Sequence, residues 1–160
     1  YKYILVKKTT KRNTGGFTLI ELLVVLAIIG MLAGIVIVSL NSARGRAANN
    51  AIKANLNNIR GQSLIYFGSN NFSFGPTTNS CGLSSGRVFG DPYIISMINA
   101  NNAIVNGSGC WGTFNAWVVR SPLKVQEGNF TYWCVDHTGV SKGVTPLQVT
   151  NWIGGNYACP

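Results

Sequence analysis

The sequence predicts an α+β chain in which one long N-terminal helix packs on a C-terminal antiparallel sheet. Three observations predict it. Residues 17–40 are almost wholly apolar and pass into an amphipathic stretch that ends near Tyr66, with no proline in either. From Trp111 onward, aromatic and β-branched residues are punctuated by turn signals at short intervals. All four cysteines fall in the C-terminal half, where they can staple a small head. A length of 160 residues leaves room for one compact domain beside the apolar run.

The helix comes first. Between Phe17 and Leu40 only Thr18, Glu21, Gly30, Gly34 and Ser39 interrupt the apolar run. At helical rise this stretch covers about 36 Å, enough to cross a hydrocarbon core of about 30 Å. Beyond it, Ala48, Ile52, Leu56, Ile59, Ser63 and Tyr66 recur at spacings of three and four, with Arg46, Asn50, Lys53, Asn57 and Arg60 between them. One face can therefore pack on a sheet. Gly45 and the many asparagines lower intrinsic helicity, so packing must stabilise this half. A single helix is expected from about Phe17 to Tyr66.

Residues 68–90 are rich in Gly, Ser, Asn and Thr and read as a loop, with a short strand at Arg87–Phe89. Asp91-Pro92 supplies an N-cap and a first-turn proline for a helix over Tyr93–Asn99, and Asn101–Gly109 reads as another loop. Then follow strands at Phe114–Ser121 and Phe130–Asp136, turns at Glu127-Gly128-Asn129 and Thr138-Gly139, and a last strand from Val140. The segment Thr145–Pro160 is expected to be irregular and pinned by Cys159.

Charge narrows the function. The formal charge is +9, but Lys2, Lys7, Lys8, Lys11 and Arg12 lie in the first twelve positions; without them eight basic residues face four acidic ones. Those eight are scattered, without the one-face clustering expected of a nucleic-acid binder, so nucleic acid is a possible partner that composition does not support. The acids Glu21, Asp91, Glu127 and Asp136 form neither a carboxylate pair nor a calcium cluster. His137, the single histidine, precedes a turn and reads as a surface residue. No catalytic constellation, metal site or cofactor is called for. Trp111, Trp117, Trp133 and Trp152 could stack on sugars or bases, but at strand spacing they are expected to fill the core. Asn71, Asn106 and Asn129 begin glycan-acceptor tripeptides, a pattern that means little alone.

Cys81, Cys110, Cys134 and Cys159 contain no Cys-x-x-Cys pair, which argues against zinc and for two disulfides in an oxidising compartment. Three pairings are possible. The shorter loops favour Cys81 with Cys110 and Cys134 with Cys159.

Three readings compete for the N-terminus. A secretory signal has a shorter apolar stretch and a small-x-small site beyond it, which Ala43-Arg44-Gly45 does not supply. A plain membrane anchor gives no reason for Glu21, since a carboxylate inside an apolar helix is costly and needs a partner. Proteolysis between Gly16 and Phe17 would create one: a new α-amino group that a neighbouring copy, shifted along a shared axis, could bring to Glu21. Gly15 and Gly16 form the flexible segment a protease can bind extended, behind a basic flank that stays cytoplasmic.

Residues 11–30, Lys-Arg-Asn-Thr-Gly-Gly-Phe-Thr-Leu-Ile-Glu-Leu-Leu-Val-Val-Leu-Ala-Ile-Ile-Gly, resemble the N-terminal methylation motif of type IV pilins and type II secretion pseudopilins. The resemblance implies a structural filament subunit, not an enzyme. It implies cleavage after Gly16 by a prepilin peptidase, N-methylation of Phe17, and pairing of Glu21 with a neighbour's N-terminal amine during assembly. The implied organisation is a leader over 1–16, a membrane or filament-core helix over 17–40, an amphipathic helix over 41–68 and a head over 69–160 with two disulfides. Implied partners are copies of the chain or other pilins, the peptidase, inner-membrane assembly machinery, and membrane lipid before assembly. The precursor would sit in the cytoplasmic membrane with its head outside, then enter an extracellular pilus or a periplasmic pseudopilus. Many pilins carry a proline where this chain has Val38, so loosening of the stem would fall to Gly30 and Gly34. These two also make Gly-x-x-x-Gly, which permits close helix approach. The alternative is a membrane-anchored minor pilin or binding module for DNA uptake or glycan adhesion.

Overall fold

The structure, a computed structural model, describes residues 15–82, 86–150 and 157–160. The expected leader, up to residue 14, and Trp152 lie outside the described residues. The element order is α1 (Leu19–Ser69), a 3-10 turn (Val88–Gly90), α2 (Pro92–Ile104), β1 (Gly109–Gly112), β2 (Trp117–Glu127), β3 (Phe130–Asp136), β4 (Ser141–Val144) and α3 (Pro146–Thr150). The strands form one sheet in the order β1-β2-β3-β4, antiparallel throughout. With α1, it makes the α+β architecture the sequence predicts. The chain divides into two compact units between Leu40 and Asn41.

In the second unit α1 buries Ile52, Leu56 and Ile59 in a core with Trp117, Val119 and Val135 of the sheet. Burial at these helical spacings is what ties this half of α1 to the strands, since its asparagines contribute little propensity. Phe74 and Phe89 meet the Trp117 ring edge to face, and Ile94 and Ile98 of α2 close the same core. Trp111 and Trp133 are partly buried against apolar clusters, in line with a packing role. The disulfides join Cys81 to Cys110 and Cys134 to Cys159, the shorter-loop pairing.

Several boundaries differ from expectation. Arg87–Phe89 is not a strand: Val88 and Phe89 enter a 3-10 turn and are buried beside α2. Helix α2 continues through the expected loop to Ile104, because Asn101 is buried and its side chain bonds Asn55 (2.8 Å) and the Ile52 carbonyl (3.4 Å) of α1. Tertiary hydrogen bonds here override a poor helix sequence. The expected strand over Phe114–Ser121 is displaced to Trp117–Glu127, since Thr113 donates to the Ala116 carbonyl (2.7 Å) and turns the chain back from the short β1. Pro122 is tolerated in β2 because β1 pairs only with residues 117–120, which leaves that side of Pro122 unpaired by the sheet. The tail contains α3, followed by the Cys159 anchor.

Candidate processing and assembly site

Gly15 and Gly16 are exposed and non-helical, and a Cβ built on either would meet nothing within 4 Å. Phe17 follows at 86% exposure. The Gly16–Phe17 peptide therefore lies in an open segment just before α1, and among the described residues no side chain crowds Gly15 or Gly16. The helix begins at Leu19, two residues later than expected, because Thr18 takes the cap position.

Thr18 and Glu21 form a reciprocal capping box. The Thr18 backbone N–H and hydroxyl both donate to Glu21 Oε2 (2.8 and 2.7 Å), while the Glu21 N–H donates back to Thr18 Oγ1 (3.3 Å). This arrangement satisfies otherwise orphaned groups of the first turn and places a negative charge at the positive end of the helix. Thr18 was not singled out from sequence, although Thr-Leu-Ile-Glu carries the Ser/Thr-x-x-Glu signature that would have found it.

From Leu19 to Leu40 every described side chain is exposed, Glu21 included. This half of α1 is long and apolar enough to cross a membrane. Gly30 and Gly34 share the exposed surface, and a Cβ on either would meet open space. They leave a shallow place on the helix where another helix could approach.

A second polar cluster, unforeseen from sequence, holds α1 to the sheet in the second unit. Asn49 is fully buried; its Oδ1 accepts from the Lys124 and Val125 N–H groups (2.7 and 3.2 Å), and its Nδ2 donates to the Val125 carbonyl and Glu127 Oε1 (2.8 Å each). The β2–β3 register breaks between Pro122 and Glu127, so this side chain replaces strand partners that the bulge removes. Lys53 pairs with Glu127 and lies 4.3 Å from the Trp133 ring centroid. Hydrogen bonds from Lys53 and then Asn49 hold the Glu127 carboxyl below its ordinary range.

Asp136 is also fully buried. Burial opposes its ionisation, but hydrogen bonds from Thr138, Cys159 and Val140 outweigh burial and hold its carboxyl low. His137, beside it, lies partly buried in the turn and its N–H donates to the Trp117 carbonyl (3.0 Å), so it caps a strand end. These two neighbours serve the fold separately.

The family model described as the prokaryotic N-terminal methylation motif matches residues 11–37, the stretch that contains the open Gly-Gly-Phe segment and the capping box. The similarity extends past the motif. The type IV wide pilus major component PilA4 of Thermus thermophilus is 34% identical over 118 residues, covering 71% of this chain and 86% of that protein. The chain belongs to the type IV pilin family. No solved structure matches it. As a pilin it is a structural subunit that assembles with other pilins into a filament, and it is not an enzyme. Its exposed apolar half-helix is the part such an assembly must cover.

Proposed function

We propose that this pilin is made as a precursor, inserted through residues 17–40, cut between Gly16 and Phe17 by a prepilin peptidase and N-methylated at Phe17. Its leader stays on the cytoplasmic side and its head outside, as the five cations near the N-terminus favour. Inner-membrane machinery then draws it from the lipid into the filament, where the Phe17 amine of one copy pairs with Glu21 of a neighbour. The filament is an extracellular pilus, a reading supported by the Thermus relative's being a type IV wide pilus major component. Gly30 and Gly34 admit neighbouring helices.

One observation carries this reading. The sole acid of the apolar half-helix stands in its first turn, directly after an unobstructed Gly-Gly-Phe segment. Before assembly, Thr18 supplies two donors to Glu21, which reduces the cost of holding a carboxylate near lipid. After the cut, a neighbour's amine neutralises it. Desolvation offsets much of that attraction, so the pair sets the register between copies more than it stabilises them.

Filament yield with processing tracked separately tests the scheme. Glu21→Ala is expected to be cut normally yet to give few or no filaments, and normal filament yield would refute the pairing. Gly16→Ala is expected to leave uncut precursor in the membrane; normal processing would remove the role given to that glycine.

A further inference from the structure

Asn106 is the only asparagine of the sequence that is followed by glycine. It stands in the link between α2 and β1, and both ends of that link are tied down. At the α2 end the Val105 N–H donates to the Asn101 carbonyl (2.9 Å). At the β1 end Ser108 donates its N–H to Asn102 Oδ1 (3.1 Å), and its hydroxyl meets that of Ser121 (3.0 Å). Asn106 and Gly107 lie exposed between these anchors. Among the described residues, nothing binds the Asn106 side-chain amide and nothing accepts from the Gly107 N–H.

An asparagine side chain carries its own nearest nucleophile, the backbone nitrogen of the next residue. Attack by that nitrogen on the side-chain carbon needs an N–H that no hydrogen bond holds, a next residue without bulk, and an amide free to rotate. Gly107 meets the first two: its N–H is uncommitted among the described residues, and glycine adds no Cβ beside the attacking atom. Other asparagines outside the helices each fail a condition. The N–H after Asn71 donates to the Phe67 carbonyl (3.0 Å), and the N–H after Asn79 donates to Thr78 Oγ1 (3.2 Å). The Asn70 amide is held by the Tyr66 carbonyl (2.9 Å). Asn115 and Asn129 precede Ala116 and Phe130, whose side chains crowd the approach. Inside α1 and α2 the next N–H is spent on the helix.

We propose that Asn106 is a site of spontaneous deamidation, with water as the only co-reactant. Solvent hydroxide takes the Gly107 amide proton, the nitrogen attacks Asn106 Cγ, and Nδ2 leaves as ammonia. A five-membered succinimide then bridges the two residues. Water opens it at either carbonyl. Breaking the bond from nitrogen to Cγ leaves aspartate, and breaking the bond from nitrogen to the backbone carbonyl leaves isoaspartate, with the main chain running through Cβ. The net change exchanges an amide and water for a carboxyl group and ammonia. Residues 92–126 contain no acidic side chain, so the reaction gives this stretch its first negative charge. Buried Asn101 and the Cys81–Cys110 disulfide hold α2 and β1 on either side, so the head stays folded as the link changes.

The test incubates the purified full chain in detergent, at mildly alkaline pH, in water enriched in oxygen-18. Peptides are then prepared in ordinary water and sequenced by mass spectrometry. Conversion is expected about tenfold faster at Asn106 than at any other asparagine. The product should be a mixture of aspartate and isoaspartate, each with one heavy oxygen. Asn106→Gln, which has a larger ring to close, is expected to lose this product while its thermal melt is unchanged. A different asparagine that converts first overturns the proposal. So does an Asn106 that stays an amide in the folded chain while a guanidinium-unfolded chain loses it, since the loop is then closed to the reaction. Aspartate without isoaspartate overturns the ring closure and with it the role of Gly107.

Discussion

Between Leu19 and Leu40 helix α1 exposes every described side chain, whereas farther along the same helix Ile52, Leu56 and Ile59 are completely covered. Both stretches are helical, but for different reasons. The first is a nearly continuous apolar run of Leu, Ile, Val and Ala and leaves its large hydrophobic surface to something other than this chain, lipid or neighbouring helices. The second has poor intrinsic propensity and is held by a sheet, a second helix and a polar clamp at Asn49. A pilin has to keep these two solutions separate, because one surface must stay open to other pilins while the other holds the head together.

Matched leucine substitutions are the strongest way to break this contrast. Leu56→Ala should destabilise the second unit by about 2–5 kcal/mol, because the side chain is fully enclosed. Leu26→Ala, at a position 61% exposed, should leave that unfolding transition within about 0.5 kcal/mol. Denaturant melts of both variants would decide, and equal losses would contradict the division.

Removing one disulfide should come next. Cys81→Ser/Cys110→Ser is expected to cost about 2–4 kcal/mol in the same melts, since it frees a loop that ties the segment before α2 to the sheet. Asn49→Ala should cost about 1–3 kcal/mol by leaving buried N–H and C=O groups of the β2 bulge unpaired. A neutral result there would mean that the bulge finds water instead.

The smallest effect is a pH dependence confined to the second unit. Asp136 has a folded value below the ordinary 3.8, so the unfolded chain binds its proton first. Its contribution is therefore complete above the unfolded value and is lost as pH falls through the folded one. Acid titration of thermal stability should show a steeper loss below about pH 4 in the native chain than in Asp136→Asn. Parallel curves would remove Asp136 from the acid response.

Much of this was legible in the sequence, but unevenly. The apolar run, the strand Phe130–Asp136 and the cap at Asp91 were readable because local residues determine them. The disulfide pairing followed from the choice of shorter loops. Strand β1 was not readable: Gly-Cys-Trp-Gly has little β-propensity, and pairing with β2 supplies what the residues lack. Asn49 and Asn101 were also opaque, because their partners lie far along the chain and nothing local separates them from Asn41, Asn50, Asn57 and Asn58 of α1, which are exposed. The Gly-Gly-Phe segment and Glu21 were visible at once; Thr18 was not singled out, although Thr-Leu-Ile-Glu carries the capping-box signature that joins its hydroxyl to that carboxylate.

The central claim is that Gly16–Phe17 marks the boundary between leader and subunit, and intact mass of the chain recovered from filaments tests it most directly. After reduction of the two disulfides, the expected species begins at Phe17 and is heavier by one CH2, a methyl in place of a hydrogen, than the unmodified sequence from that residue to the C-terminus. A filament protein that retains residues 1–16, or one cut after residue 40, would contradict it.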